Sequence, residues 1–140
     1  METPLKSILL VEDDEATNFL HQLVIKRAGV AENIHVAING KKALEYINAA
    51  VAGEHPMPDL ILLDINMPIM NGWEFLDEYR RLPAQHKEKM KLVVLTASLN
   101  PADETRALAY AEVFTFKFKP LTKDILLEIV ANYFGKMVQP

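Results

Sequence analysis

The chain has 140 residues, of which 50% are hydrophobic and 24% charged, and this balance excludes a disordered chain and favours one globular domain. A net charge of −4 excludes a basic nucleic-acid surface, and the lack of cysteine excludes disulfides and thiolate metal sites. The apolar stretch from Ile8 to Val11 is too short for a membrane span or signal sequence. We therefore expect one cytoplasmic domain, with a core over about residues 6–138, no output domain and no contact with nucleic acid or membrane.

Five short apolar runs, each followed by a stretch with helical spacing, predict five strand–helix units. The predicted strands are Ser7–Val11, Ile34–Ile38, Leu60–Asp64, Leu92–Thr96 and Val113–Phe118. The first helix ends near Gly29 and carries apolar residues at helical spacing, namely Ala16, Phe19, Leu20, Leu23 and Val24. The other four helices begin at about Gly40, at Gly72, at Pro101 after the N-cap residue Asn100, and after the capping residue Thr122.

The third strand is a continuous apolar run, Leu60 to Leu63, as expected for a parallel strand covered by helices on both faces. Strands that alternate with helices through short connections predict an α/β fold, a doubly wound parallel sheet of five strands with five helices. In such a sheet, ligand chemistry lies at the carboxyl ends of the strands.

Four of the five strand runs finish in a charged or reactive group, and these groups are expected to meet at one edge of the sheet. The acidic run Glu12-Asp13-Asp14 follows strand one, Asp64 ends strand three, Thr96 ends strand four and Lys119 follows strand five. Carboxylates held close together repel one another, so either their pKa values are raised or a divalent cation binds among them. A site that offers only oxygen ligands suits Mg²⁺ or Mn²⁺. A lysine and a hydroxyl beside a metal-bound aspartate form a binding site for a phosphoryl group, and the aspartate can act as the nucleophile.

Four segments in this order and spacing resemble the response-regulator receiver family of two-component signalling, in its stand-alone, chemotaxis-regulator-like form. They are ILLVEDDE at Ile8–Glu15, DLILLDINMPIMNG at Asp59–Gly72, VVLTAS at Val93–Ser98 and FKFKP at Phe116–Pro120. The resemblance implies a flavodoxin-like sheet of order 2-1-3-4-5. The connection that holds Pro83 to Lys87 is similar to that of free-standing receivers that partner phytochrome-type kinases.

The resemblance also implies a role for each matching residue. Asp64 resembles the phosphoacceptor and a metal ligand, Asp13 the direct metal ligand, Glu12 the acid that reaches the ion through water, and Asn66 the residue whose backbone carbonyl binds the metal. Thr96 resembles the hydroxyl that moves toward the phosphoryl group, Ala97 the small residue beside it, Lys119 the phosphate-pairing lysine and Phe116 the aromatic switch.

Other interpretations stay open for some of these residues. Asp14 competes with Asp13 as the metal ligand, and Phe116, which alternates with Phe114 and Phe118, fits a plain core side chain almost as well as a switch. The histidines His21, His35, His55 and His86 lack metal-ligand spacing, so none is predicted to be a site residue.

The predicted function is phosphorelay signalling, in which the domain catalyses only its own phosphorylation and dephosphorylation. A histidine kinase or phosphotransfer protein is the expected donor. The fourth predicted helix, the fifth strand and the fifth predicted helix are the expected surface for a downstream protein or for self-association. The alternatives are a haloacid-dehalogenase-like phosphatase, whose D-x-D pair is missing after strand one, and an interaction module that is never phosphorylated.

Overall fold

A computed structural model describes residues 5–134, so Met137 and the last part of the expected core lie outside the described residues. Within these residues five parallel strands form one sheet in the order β2-β1-β3-β4-β5, which confirms the predicted topology. The strands are β1 (Leu5–Val11), β2 (Ala31–Ala37), β3 (Leu60–Leu63), β4 (Lys91–Thr96) and β5 (Val113–Phe118).

Six helices connect and cover these strands in the described part of the chain, one more than the five predicted. They are α1 (Glu15–Ala28), α2 (Gly40–Val51), α3 (Gly72–Tyr79), α4 (Ala84–Lys87), α5 (Pro101–Leu108) and α6 (Lys123–Phe134). The additional helix, α4, is a single turn that begins after Pro83, whose φ of −57° already suits a helix start. Lys87 at its end donates to the carbonyl of Arg80 and pairs with Glu112, at 2.9 and 2.8 Å.

The sheet has an apolar core on each face, as the doubly wound prediction requires. β3 is buried along its whole length, and its side chains alternate between the two cores, Ile61 and Leu63 on one face and Leu60 and Leu62 on the other. The first core packs against α2, α3 and α5, and the second packs against α1 and α6. No helix within residues 5–134 combines the length and apolar character that crossing a membrane requires.

The buried face of α1 includes polar side chains that the apolar spacing of the sequence did not indicate. Asn18, His21 and Ile25 point inward, whereas Phe19 and Leu20 are 67% and 55% exposed. The inward face tolerates polar side chains because they form hydrogen bonds: the Asn18 amide donates to the carbonyl of Glu12 at 2.8 Å. Apolar spacing therefore identified the helix, although Phe19 and Leu20 of the spaced set lie on its exposed side.

β5 contains an irregularity that the sequence pattern did not indicate. Val113 pairs with Leu92 and Thr115 with Val93, so Phe114 is an additional residue opposite one step of β4. This bulge reverses the alternation of side chains, and Val113 and Phe116 consequently pack in the same core. Phe114 is 41% exposed and lies beside Tyr133 of α6 and under the ammonium group of Lys91.

A set of aromatic and cationic side chains joins α3 to α5. The guanidinium of Arg106 lies 4.2 Å from the ring centre of Trp73, and Trp73 stacks with Tyr110 at 6.4 Å. The Tyr110 hydroxyl donates back to Asp77 of α3 at 2.7 Å, while Arg80 covers the Tyr110 ring at 5.4 Å. These contacts fix the spacing of two helices that cover the same face of the sheet.

Candidate functional site

Three carboxylates meet at the carboxyl end of the sheet. Glu12, Asp13 and Asp64 each offer an oxygen, and these oxygens lie within 4.8 Å of one another. The sheet ladder continues past the strand ends to hold them, because the N–H of Asp64 donates to Val11 and that of Glu12 donates to Ala37, both at 3.0 Å. Glu12 and Asp64 are buried, whereas Asp13 is exposed.

The ammonium group of Lys119 lies against this cluster. Its Nζ is 3.2 Å from Asp64 Oδ1 and also donates a hydrogen bond to Glu12. The backbone N–H of Lys119 donates to the carbonyl of Thr96 at 2.8 Å, so the ends of β4 and β5 are joined next to the acidic groups. The structure therefore brings Glu12, Asp13, Asp64 and Lys119 into one site.

Burial dominates the electrostatics of the site. It raises the pKa of Glu12 and of Asp64, although the hydrogen bond and charge of Lys119 act in the opposite direction. Burial by itself lowers the pKa of Lys119, but the hydrogen bond with Glu12 and the charges of Asp64 and Glu12 outweigh it and raise that pKa. One ammonium group is thus shared by two buried carboxylates that are costly to ionise. A divalent cation at this position would offset their remaining negative charge.

Asp14 has a different position from its two acidic neighbours. Its carboxylate caps α1, accepting from the backbone N–H and the hydroxyl of Thr17 at 2.8 and 2.5 Å. These hydrogen bonds lower the pKa of Asp14. The geometry therefore separates a helix cap at Asp14 from the metal-ligand position expected at Asp13.

The remaining predicted residues lie on β4 and β5 or directly after β3 and β4. Thr96 is fully buried, and its Oγ1 accepts from the N–H of Ser98 at 3.1 Å. Ala97 is the exposed residue that follows it, and Asn66 lies two residues past Asp64 with an exposed side chain. Phe116 is 7% exposed and meets Phe118 edge to face at 5.5 Å. The structure thus places the Phe116 ring in the core, where it has the packing of an ordinary core residue.

Two further features near the site were not predicted. A Cβ atom on Gly72 would lie 2.7 Å from the carbonyl oxygen of Asp64, so α3 reaches the end of β3 only because that side chain is missing. The N-cap Asn71 and Glu74 form a reciprocal capping box that starts α3 there. The second feature is the inward pair Asn18 and His21 of α1, whose spacing with Ile25 follows one helix face.

Comparison with known proteins assigns the family. Residues 8–131 match the sequence model of the response regulator receiver domain. The chain belongs to the response-regulator receiver family. This receiver domain is 37% identical over 101 residues to Rcp1 of Synechocystis, an alignment that covers 71% of this chain and 67% of that protein.

Solved structures agree with the assignment. A two-component response regulator from Cytophaga hutchinsonii superposes on this receiver with a TM-score of 0.83 at 33% identity, over 96% of this chain and 97% of that one. A structure described as the Mn²⁺-bound form of Rcp1 matches with a TM-score of 0.75 at 29% identity, over 96% and 97% of the two chains. The bacteriophytochrome response regulator RtBRR matches at 0.76 with 30% identity, over 91% of this chain and 77% of that one.

Proposed function

We propose that this receiver accepts a phosphoryl group on Asp64, in a reaction that depends on Mg²⁺ or Mn²⁺. One observation carries the proposal: the buried Asp64 carboxylate lies 3.2 Å from the ammonium of Lys119 and within the cluster formed with Glu12 and Asp13. A carboxylate in that setting has both a nucleophilic oxygen and groups that offset the charge of a phosphoryl group. The Mn²⁺-bound form described for the related Rcp1 supports a divalent cation here.

Asp64, Lys119 and Thr96 each have a separate role in the proposed reaction. An oxygen of Asp64 attacks phosphorus while the bond from phosphorus to the donor's nitrogen or oxygen breaks, and the donor leaves with that electron pair. Lys119 offsets the negative charge on the phosphoryl oxygens. Thr96 Oγ1 accepts from Ser98, which leaves its hydroxyl hydrogen free to donate to the phosphoryl group. Later, water attacks phosphorus and the bond to Asp64 breaks, which releases inorganic phosphate and restores the carboxylate.

The acidic cluster fits a hard cation with oxygen ligands. Asp13 and Asp64 would bind it directly, Glu12 through water, and Asn66 through its backbone carbonyl. When bound, the cation supplies positive charge to the phosphoryl oxygens.

Intact mass measurement after incubation with Mg²⁺ and a small acyl-phosphate donor tests this proposal. We expect one phosphoryl group per chain, formed only with Mg²⁺ or Mn²⁺, and no addition in Asp64→Asn. The matched control is Asp14→Asn, because asparagine also caps a helix and Asp14 lies outside the acidic cluster. An undiminished phosphoryl adduct in Asp64→Asn would exclude Asp64 as the acceptor.

The same samples separate the two rival functions. A phosphatase of the haloacid-dehalogenase type would release phosphate from simple phosphate esters over many turnovers, whereas this receiver is expected to catalyse only its own modification. An interaction module that is never phosphorylated would gain no mass under any of these conditions.

We infer that the donor is a histidine kinase or a phosphotransfer protein in the cytoplasm, and that a protein surface reads the phosphorylated state. That surface consists of α5, β5 and α6, where Phe114 is exposed and Phe134 is half-buried. A new charge of about minus two at Asp64 should draw in Thr96 and Lys119 and shift β5.

Amide exchange and light scattering test this output surface. Exchange should change most across residues 95–121 on phosphorylation, and light scattering separates a phosphorylation-driven dimer from a monomer that awaits a partner. A change confined to α1 and α2 would exclude this surface.

A further inference from the structure

α1 carries a buried histidine to which the proposed chemistry assigns no role. His21 is 1% exposed, and its Nε2 atom accepts a hydrogen bond from the backbone N–H of Leu121 at 3.2 Å. This contact joins α1 to the segment between β5 and α6. Lys119 lies two residues before Leu121 in the same segment.

The hydrogen bond defines the protonation state of the ring. Because the N–H of Leu121 is the donor, Nε2 of His21 must be unprotonated, and Nδ1 carries the ring hydrogen. Burial, with a further contribution from the charge of Lys119, lowers the pKa of His21 to about 4. The ring is therefore a neutral acceptor near neutral pH. Protonation would remove its lone pair and place a second positive charge near Lys119.

The segment that carries Lys119 is fixed on both sides. The N–H of Lys119 donates to the carbonyl of Thr96 at the end of β4, and the N–H of Leu121 donates to His21 of α1. Between these points, the Lys119 side chain reaches Asp64 and Glu12 together. A shift of the segment away from α1 would move the ammonium group relative to both carboxylates.

We propose that His21 is a positioning residue that keeps Lys119 directed at Asp64 by holding the backbone N–H of Leu121. The proposal rests on the proposed phosphorylation of Asp64. His21 acts through the Lys119–Leu121 segment, so its loss should slow the phosphorylation step without removing the nucleophile.

Three variants separate positioning from packing. In His21→Gln the side-chain oxygen can occupy the position of Nε2, so a hydrogen-bond acceptor is kept. The side chain in His21→Asn is too short to place its oxygen there, and the side chain in His21→Leu has no acceptor. With acyl phosphate and Mg²⁺ at saturation, we expect the rate constant in His21→Gln to stay within about twofold of the wild type and to fall about tenfold in the other two. Equal rates in His21→Leu and the wild type would refute the proposal, as would failure of glutamine to restore the rate.

Amide exchange in the same variants gives a readout that does not need phosphorylation. Exchange at Leu121 and Lys119 should accelerate in His21→Leu and stay slow in His21→Gln, while the β1 and β3 amides remain protected in both. Unchanged exchange at Leu121 in His21→Leu would overturn the proposal. If the wild type gains no phosphoryl group on Asp64, the proposed function fails, and these amides still decide whether His21 fixes the segment.

Discussion

The ammonium group of Lys119 lies 3.2 Å from Asp64 and contacts Glu12 as well, so one cation serves two buried carboxylates. In Lys119→Met these carboxylates face each other without compensation. We expect a loss of about 3–5 kcal/mol in the free energy of unfolding at neutral pH. Mg²⁺ or a lower pH should restore part of it, because each reduces the repulsion between the carboxylates. Urea denaturation at two pH values, with and without Mg²⁺, measures this effect.

Lys117→Met is the matched control, because Lys117 lies on β5 two residues before Lys119 and pairs with Glu128 in a more exposed position. Its loss should stay within about 1 kcal/mol and should not respond to Mg²⁺. Equal losses in the two variants would contradict the special position of Lys119.

Mg²⁺ affinity should depend on Asp13 much more than on Asp14. Asp13→Asn removes a carboxylate of the cluster, whereas Asp14→Asn exchanges one helix cap for another. The affinity should also fall as the pH drops through the raised pKa values of Glu12 and Asp64, because protons compete for the same oxygens. Calorimetric titrations at two pH values test both effects, and equal losses in the two variants would mean that the metal-ligand register is off by one residue.

His21 should make the fold less stable in acid. The unfolded ring binds a proton below its ordinary pKa of 6.5, but the folded ring does so only at about 4. The stabilisation from the neutral His21 ring is therefore fully present above the pKa of the unfolded ring. It is lost as the pH falls toward the pKa of the folded ring, which lowers the free energy of unfolding by about 3 kcal/mol. The difference in unfolding free energy between the wild type and His21→Gln isolates this effect, since Glu12 and Asp64 titrate in both proteins. A difference that stays constant from neutral to acidic pH would contradict it.

Gly72→Ala should disturb the site as well as the fold. The new Cβ would lie 2.7 Å from the carbonyl oxygen of Asp64, so α3 or the end of β3 must move, at a cost of about 1–3 kcal/mol. Gly29→Ala is a suitable control, because Gly29 has open space around it and a φ of +64°, and alanine there costs about 1–2 kcal/mol in backbone strain alone. Both variants should lose stability, but only Gly72→Ala should slow phosphorylation of Asp64.

Much of the fold could be predicted because the local signals agree with one another. The unbroken apolar run of β3, the N-cap Asn100 with Pro101, and Gly29 after α1 each have one dominant structural interpretation, and the structure has all three. The acidic residues and Lys119 could be grouped for a related reason, because parallel strands end at the same edge of their sheet.

The remaining differences arise where tertiary contacts outweigh local pattern. Phe19 and Leu20 follow helical spacing, but α1 buries Asn18 and His21. The Asn18 amide donates to the nearby carbonyl of Glu12, and His21 accepts from the backbone N–H of the distant Leu121. The bulge at Phe114 depends on the pairing of β5 with β4, and strand composition carries no signal for it. α4 is too short for a periodic pattern to reveal, and its contacts with Arg80 and Glu112 form only in the folded chain.

Trp73 is the only tryptophan in the sequence, and it lies between helices that cover one face of the sheet, under Arg106 of α5 and stacked with Tyr110. The cation and the neighbouring ring define the electronic surroundings of its indole. A movement of α5 relative to α3 changes those surroundings. The wavelength and intensity of tryptophan fluorescence in the native protein therefore report the relative position of the two helices. Trp73 is therefore an intrinsic fluorescent probe, and conformational changes at these helices can be followed in real time without a dye or an introduced label.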